Sequence, residues 1–408
     1  MTRVSVIVVS RGRPGSLMLC LTGIGQLCHR SFEVIVVADP AGCAAVSQMG
    51  WGARVKLVAF DAPNISAARN AGLAQAAGEI VAFIDDDAVP EPTWLDQLAA
   101  PFGDAGVAAT GGYVIGRNGI SYQWTARAAN RFGESITLDA PGDDPFEPVP
   151  PDGFVPRTEG TNCAFRRNLL AGIGGFDRAF RYYLDETDVN LRLADIGART
   201  VIVPRALVHH GYAGSDRRAT DRTPRDLTEI GASVAVFLRK HAAEEDPAAV
   251  LARLKAAQRR ALLRHMVAGG LEPRDVGRRL EGLEAGFEDG LRREIAPLLA
   301  LPEATNPFRS FEVKRNGQAT HYAGRSWQRA RLRRKAADAL VHGETVTLFC
   351  FSPTALPHRM RFHPGGWWEQ TGGLFGRSVR NHPPIRLASF RARVAEEWAR
   401  VAPMRQCR

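Results

Sequence analysis

The chain is expected to fold as an α/β protein on a doubly wound, mostly parallel sheet, continued by a helical bundle and a basic α+β C-terminal segment. Three observations lead there. Short, continuously apolar, β-rich runs alternate with helical patterns over roughly the first 100 residues, and strands buried on both faces with helices between them imply a parallel sheet. From Pro224 to Leu301, Ala, Leu, Arg and Glu recur at helical spacing with few β-branched residues. Beyond Pro302–Pro307 the composition turns to Arg, Trp and Gly.

Each element has its own signal. Val4–Val9 is an apolar run closed by Ser10-Arg11-Gly12-Arg13-Pro14, a turn whose proline is placed to open a helix. Leu17–Leu27 reads as that helix, Glu33–Val37 as a second strand and Val55–Phe60 as a third. Asn64 is set to cap a helix running through Ala76, with Gly78 as its stop. The fourth strand, Glu79–Ile84, runs straight into Asp85-Asp86-Asp87. Six prolines between Asp139 and Pro156 mark a long loop, expected to be a mobile or binding segment. The pattern resumes through Cys163–Leu170 and Gly172–Phe180. A helix opens near Asp185 with Val189, Arg192–Leu193 and Ile196 on its inward stripe, and Gly197 ends it. Thr200–Val203 is a strand leading to His209-His210, three or so helices follow, and Thr345–Phe351 is one clear strand near the end. Three units are expected: 1–220, 221–306 and 307–408.

Composition narrows the class. With 45% hydrophobic and 24% charged residues among 408, collagen-like and wholly disordered readings are excluded. The net charge of +10 is uneven: residues 307–408 hold 19 Lys+Arg against 6 Asp+Glu, which leaves residues 1–306 at −3. Six scattered cysteines with no C-x-x-C pair are expected to be reduced thiols of a cytoplasmic protein, without zinc or disulfide. Apolar runs are strand-sized, too short for a bilayer span or a signal-peptide core.

The strongest chemical signal is the Asp triplet. Ligands of open α/β sheets bind beyond the carboxyl ends of the strands, and adjacent carboxylates there repel one another unless a hard divalent cation offsets them. Asp185-Glu186-Thr187-Asp188 is a second acidic cluster, at a position that a helix N-terminus favours in any case. Trp94 is expected to pack in the core. Gly365-Gly-Trp-Trp368 through Gly376 reads as tight turns with aromatic packing, or as an acceptor platform.

An ordered set of motifs resembles the family-two glycosyltransferases of GT-A fold over roughly residues 1–220: Val4–Val9, Ser66-Ala-Ala-Arg69-Asn70-Ala-Gly72, Phe83-Ile-Asp-Asp-Asp87, Gly174-Gly-Phe-Asp177 and Tyr182-Tyr-Leu-Asp-Glu186-Thr-Asp188-Val-Asn-Leu-Arg192. The resemblance implies an inverting, metal-dependent transferase acting on a nucleotide-sugar donor and a carbohydrate or lipid-linked acceptor in surface polysaccharide or glycoconjugate synthesis. It matches the D-x-D element to Asp85 and Asp87, with Asp87 and Asp85 holding Mg²⁺ or Mn²⁺. It also implies a histidine completing the metal shell, for which His209 is favoured over the adjacent His210. Ser10, Arg11, Asp39, Arg69, Asp85 and Asp86 become donor-binding candidates. The family's Glu-Asp pair falls on Asp185-Glu186, in reversed order, so the general base is expected to be Glu186, then Asp185, then Asp188.

Outside the resemblance, Arg325–Lys335 reads as a basic helix with Trp327, Leu332, Ala336 and Leu340 on one face. It is a solvated surface or a peripheral contact with anionic lipid at the inner face of the cell membrane. No nucleic-acid module accompanies the charge. Two alternatives are weaker. A sugar nucleotidyltransferase needs a Gly-rich phosphate loop after the first strand, which Ser10–Pro14 does not supply. A non-catalytic carbohydrate- or membrane-binding scaffold need not keep both carboxylate clusters.

Overall fold

A computed structural model describes residues 2–313 and 316–407. Its N-terminal half is a nine-stranded sheet. The strands are β1 (Val4–Ser10), β2 (Phe32–Ala38), β3 (Lys56–Ala59), β4 (Ile80–Asp85), β5 (Ala88–Pro90), β6 (Val107–Ile115) and β7 (Tyr122–Trp124). A separate three-stranded sheet holds β8 (Arg127–Asn130), β9 (Ser135–Thr137) and β10 (Phe154–Arg157), and β11 (Cys163–Arg166) and β12 (Arg199–His210) return to the main sheet. The order is β3-β2-β1-β4-β11-β6-β12-β5, with β7 paired to β6. Strands β3, β2, β1 and β4 are parallel, β11 runs antiparallel to both β4 and β6, and β5 lies antiparallel on β12.

Helices α1 (Pro14–Ile24), α2 (Pro40–Gln48), α3 (Ile65–Leu73), α4 (Trp94–Ala99), α5 (Arg167–Gly172) and α6 (Asp185–Asp195) cover the sheet. Alternation along each strand sends side chains to both faces. Val4, Val6 and Val8 pack with Leu17, Leu21 and Trp94 on one side, while Ile7 packs with Leu73, Phe83 and Val189 on the other. Because chain order reverses between β1 and β4, their carboxyl ends open a crevice. Val9 stands opposite Asp85, and Ser10 opposite Ala38, so the strand ends form one rim. This is the doubly wound, mostly parallel arrangement anticipated from the sequence, and Trp94 is core, its indole N–H donating to Asn162 at 2.7 Å.

Three long helices follow: α7 (Thr228–His241), α8 (Pro247–Val267) and α9 (Pro273–Arg292). The last part holds β13 (Ala319–Arg325), α10 (Arg329–Val341), β14 (Thr345–Ser352), β15 (Arg359–Phe362), β16 (Trp368–Gly373) and α11 (Phe390–Arg405). Its four strands form a second sheet, β13-β14-β16-β15. Only β14 was legible as a strand, because the others are short and interleave Arg, His and Gly with their apolar residues.

Four expectations need correction. Helix α3 stops at Leu73 and is closed by Ala74; Gly78 has another task. A Cβ there would come within 2.7 Å of the Ser5 backbone nitrogen, so the glycine permits close approach to β1. The proline-rich loop contributes nothing between 139 and 156 to the cleft described below; Phe146 pairs with Ile202 instead. On α10 the buried stripe is Leu332, Ala336 and Ala339, whereas Trp327 is exposed. Finally, Cys28 and Cys407 form a disulfide. Local spacing carried no hint of it, since the two are 379 residues apart and only the fold joins them. Cys20, Cys163 and Cys350 are buried free thiols, as expected of core cysteines. Among the described residues no helix is long and apolar enough to cross a membrane.

Candidate active site

A cleft of about 1010 Å³ lies over the carboxyl ends of β1 and β4 and extends toward α7 and α8. Its first wall is the end of β4. Asp85 and Asp87 line it, and Asp87 Oδ1 lies 3.3 Å from His210 Nε2. The ligand atoms of Asp85, Asp87 and His210 all fall within 4.8 Å of one another. Burial pushes the Asp87 carboxyl up, but the His210 hydrogen bond and charge, Arg13 and the Ala213 amide outweigh it and hold it at about 2. The group is therefore an ionised oxygen donor at neutral pH.

His209 and His210 end β12, where neighbours point to opposite faces. Pairing with β5 sets His210 against Ala88, beside Asp87, while His209 faces Glu91 at 2.8 Å on the other side. The expected choice of His209 is thus corrected: the imidazole in the cluster is His210. Asp86 is also misplaced in the sequence reading. It is fully buried, accepts from Ser10 Oγ at 2.6 Å, and its other oxygen is ion-paired with Arg13 at 2.5 Å. Burial and Asp87 raise its carboxyl to about 7 against the pull of Arg13 and Ser10. It anchors the turn after β1 and is absent from the cleft lining.

The other first-wall candidates do line the cleft. Asp39 caps α2 through the Gly42 amide and also accepts from the Gly12 amide, each at 2.9 Å, so both its oxygens are engaged. Arg11 reaches Asp61 at the mouth.

The second wall is the first turn of α6. Tyr183 and Leu184 precede it with φ of 71° and 66°, a left-handed corner that non-glycine residues adopt only where surroundings enforce it. The corner presents Asp185 and Glu186 to the cleft. Arg69 links the two walls: its guanidinium pairs with Asp185, lies 3.5 Å from Asp85 and donates to the Gly160 carbonyl at 3.2 Å. Arg157 pairs with Glu186 at 2.7 Å. Burial raises the Asp185 carboxyl despite Arg69, and the Glu186 charge adds to it. Burial works against the Glu186 charge too, but Arg157 and Arg69 prevail and hold that carboxyl below its ordinary range. Two adjacent acids are so pushed apart.

Asp188 is not in the cleft. It is buried and receives Arg192 at 2.9 Å, Lys240 at 2.7 Å and His241 at 2.9 Å, an anchor for α7 with no free edge for a substrate. Asn70 supplies the matching bond on α3, exchanging hydrogen bonds with the Phe176 backbone at 2.7 and 2.8 Å. Sequence reasoning missed Arg13, Arg157 and the Tyr183–Leu184 corner. Arg13 stood in the turn already singled out, and Arg157 at the edge of the proline-rich loop; neither had a spacing that marked it.

Residues 5–173 match the family model described as glycosyl transferase family 2. A pre-mycofactocin glycosyltransferase of Mycobacterium tuberculosis is 27% identical over 216 residues, spanning 51% of this chain and 43% of its own length. An O-antigen biosynthesis protein of Myxococcus xanthus is 28% identical over 237 residues, 53% of this chain and 18% of its own. The chain thus spans less than half the length of these curated relatives. Among solved structures, GalNAc-T7 with UDP, GalNAc and Mn²⁺ overlaps at a TM-score of 0.44 and 15% identity, over 59% of this chain and 48% of that one. S. aureus TarS overlaps at 0.40 and 17%, over 63% and 43%. Both overlaps are partial likenesses of shape.

Proposed function

From the match of residues 5–173 to the glycosyl transferase family 2 model, we propose that the chain is a glycosyltransferase of that family and moves a sugar from a nucleoside-diphosphate donor to an acceptor hydroxyl, with inversion at the anomeric carbon. One observation carries the reading: Arg69 spans two acidic walls of a single cleft, Asp85 on one side and Asp185 on the other. The relatives named for glycosyltransfer and O-antigen biosynthesis support a role in polysaccharide or glycoconjugate synthesis.

Asp85, Asp87 and His210 fit a divalent cation. Two carboxylate oxygens and one imidazole nitrogen converge, and such a donor set suits Mg²⁺ or Mn²⁺. A cation bound there neutralises the charge that grows on the departing diphosphate. The chain's own residues do the rest. Arg69 and Arg13 hold the carboxylates in register, and the turn Ser10–Arg13 with Asp39 shapes the donor end. Glu186, kept ionised by Arg157, takes the proton of the acceptor hydroxyl as its oxygen attacks; Asp185, raised by burial, stays beside it as the second acid. We place this catalytic unit in residues 1–220, with 221–306 and 307–408 as further units. The acceptor is a carbohydrate or lipid-linked glycan, and the exposed Trp327, Arg331, Arg334 and Lys335 form the face that meets an anionic membrane at its inner surface.

The test is calorimetric titration of UDP, GDP and TDP with and without Mn²⁺. Metal-dependent binding of one nucleotide by the native protein, abolished in Asp87→Ala, is the expected result. Equal binding by the variant refutes the assignment.

A further inference from the structure

The cation cluster depends on a short edge. Strand β5 has three residues and pairs only with the end of β12, Val208↔Pro90, His209↔Val89 and His210↔Ala88. Asp87 and His210 are therefore held opposite each other by the outermost ladder of the sheet, where fraying is easiest. Something must clamp it from behind, and the C-terminal segment is what lies there.

Glu91 follows β5 directly. Its carboxylate is buried and accepts Arg405 Nε and Nη2, both at 2.9 Å, and His209 Nε2 at 2.8 Å. A two-pronged guanidinium–carboxylate pair fixes orientation as well as charge. The Arg405 guanidinium sits 4.5 Å over the Trp368 ring, donates to Thr347 Oγ1 at 2.7 Å, and Trp368 lies 4.4 Å from the His209 ring. The neighbouring residues are fastened by the same helix end: Thr93 N donates to the Met404 carbonyl at 3.0 Å, Cys28 N to the Pro92 carbonyl at 2.8 Å, and Cys28 is bridged to Cys407. Both strands of the β5–β12 ladder are thus tied, one through Glu91 and the other through His209, to residues 404–407.

We infer that Arg405 is a positioning residue for the Asp87–His210 pair, acting through Glu91 and His209, so that the C-terminal segment sets the affinity of the cation site. This rests on the reading of Asp85, Asp87 and His210 as cation ligands. Losing a residue that orients metal ligands from behind typically lowers affinity about 10–100-fold.

Free Mn²⁺ is titrated by electron paramagnetic resonance into the full chain, with no nucleotide present, alongside thermal melts. The proteins are wild type, Asp87→Ala, Arg405→Met and the double variant Glu91→Gln/Arg405→Met, in which no charge stays buried alone. Arg405→Met and the double variant should weaken Mn²⁺ binding about 10-fold or more, and the double variant should regain melting temperature without regaining affinity. A folded double variant that binds Mn²⁺ within twofold of wild type overturns the inference. Should neither Arg405 variant fold, the isosteric Glu91→Gln is read by the same twofold criterion. Wild type that takes up no Mn²⁺, or Asp87→Ala that takes up as much as wild type, sinks the cation-site reading and this inference with it.

Discussion

Replacing Asp188 by Asn separates structure from catalysis in the acidic cluster of α6. The Asp188 carboxylate is fully buried and receives Arg192, Lys240 and His241. Removing one partner of a buried ion pair costs about 3–5 kcal/mol. The lower end applies here, because Lys240 keeps Asp177 at 2.5 Å and Arg192 keeps the Ile173 and Gly175 carbonyls at 2.8 and 2.6 Å. For cooperative unfolding of 408 residues the unfolding entropy is roughly 0.9 kcal/mol/K, so about 3 kcal/mol lowers the melting temperature by about 3–4 °C. Scanning calorimetry reads that shift. Turnover at 25 °C, followed as released nucleoside diphosphate, should stay within a few-fold of wild type. Glu186→Gln should instead leave donor binding intact but turn over about 10²–10⁴-fold more slowly. An Asp188→Asn protein that melts like wild type yet loses turnover a hundredfold refutes the reasoning and moves the base two residues along the helix.

The same variant reports on pH. Burial raises the Asp188 carboxyl, but the His241 hydrogen bond, Arg192 and Lys240 outweigh it and hold it far below the ordinary carboxylate range. A depressed acid stabilises the fold above its unfolded pKa of about 3.9 and ceases to do so as pH falls toward the folded value. The gap in melting temperature between wild type and Asp188→Asn should therefore be open at pH 7 and begin to close below about pH 4; a gap that stays constant to pH 3 contradicts it. At the exposed face of α10, Arg331→Glu/Arg334→Glu should reduce co-sedimentation with phosphatidylglycerol vesicles and leave phosphatidylcholine unaffected; unchanged sedimentation removes the membrane role.

Legibility followed the range of the forces. The apolar run ending at Ile84 announced a buried strand, so carboxylates directly after it had to stand at the sheet's carboxyl edge, and Asp85 and Asp87 line the cleft. The two histidines were different. Alternation says that only one of them faces the cleft, but the choice depends on pairing with Ala88–Pro90, a three-residue strand with no pattern of its own. For Asp188 only Arg192, four residues on, is a local partner; the rest of its closure is made by Lys240 and His241, more than a helix away in the chain. The Cys28–Cys407 bridge and the Glu91–Arg405 pair lie beyond any spacing rule.

The last of these contacts also has a timetable. Glu91 and Arg405 are 314 residues apart. At ~5–20 residues per second of synthesis, roughly 15–60 s pass between making one and making the other. For that interval the Glu91 carboxylate has no partner, and once β12 has been made the nascent chain carries an outer ladder with no clamp. A translation product cut short before Arg405 would hold the cleft residues without the contact that braces them.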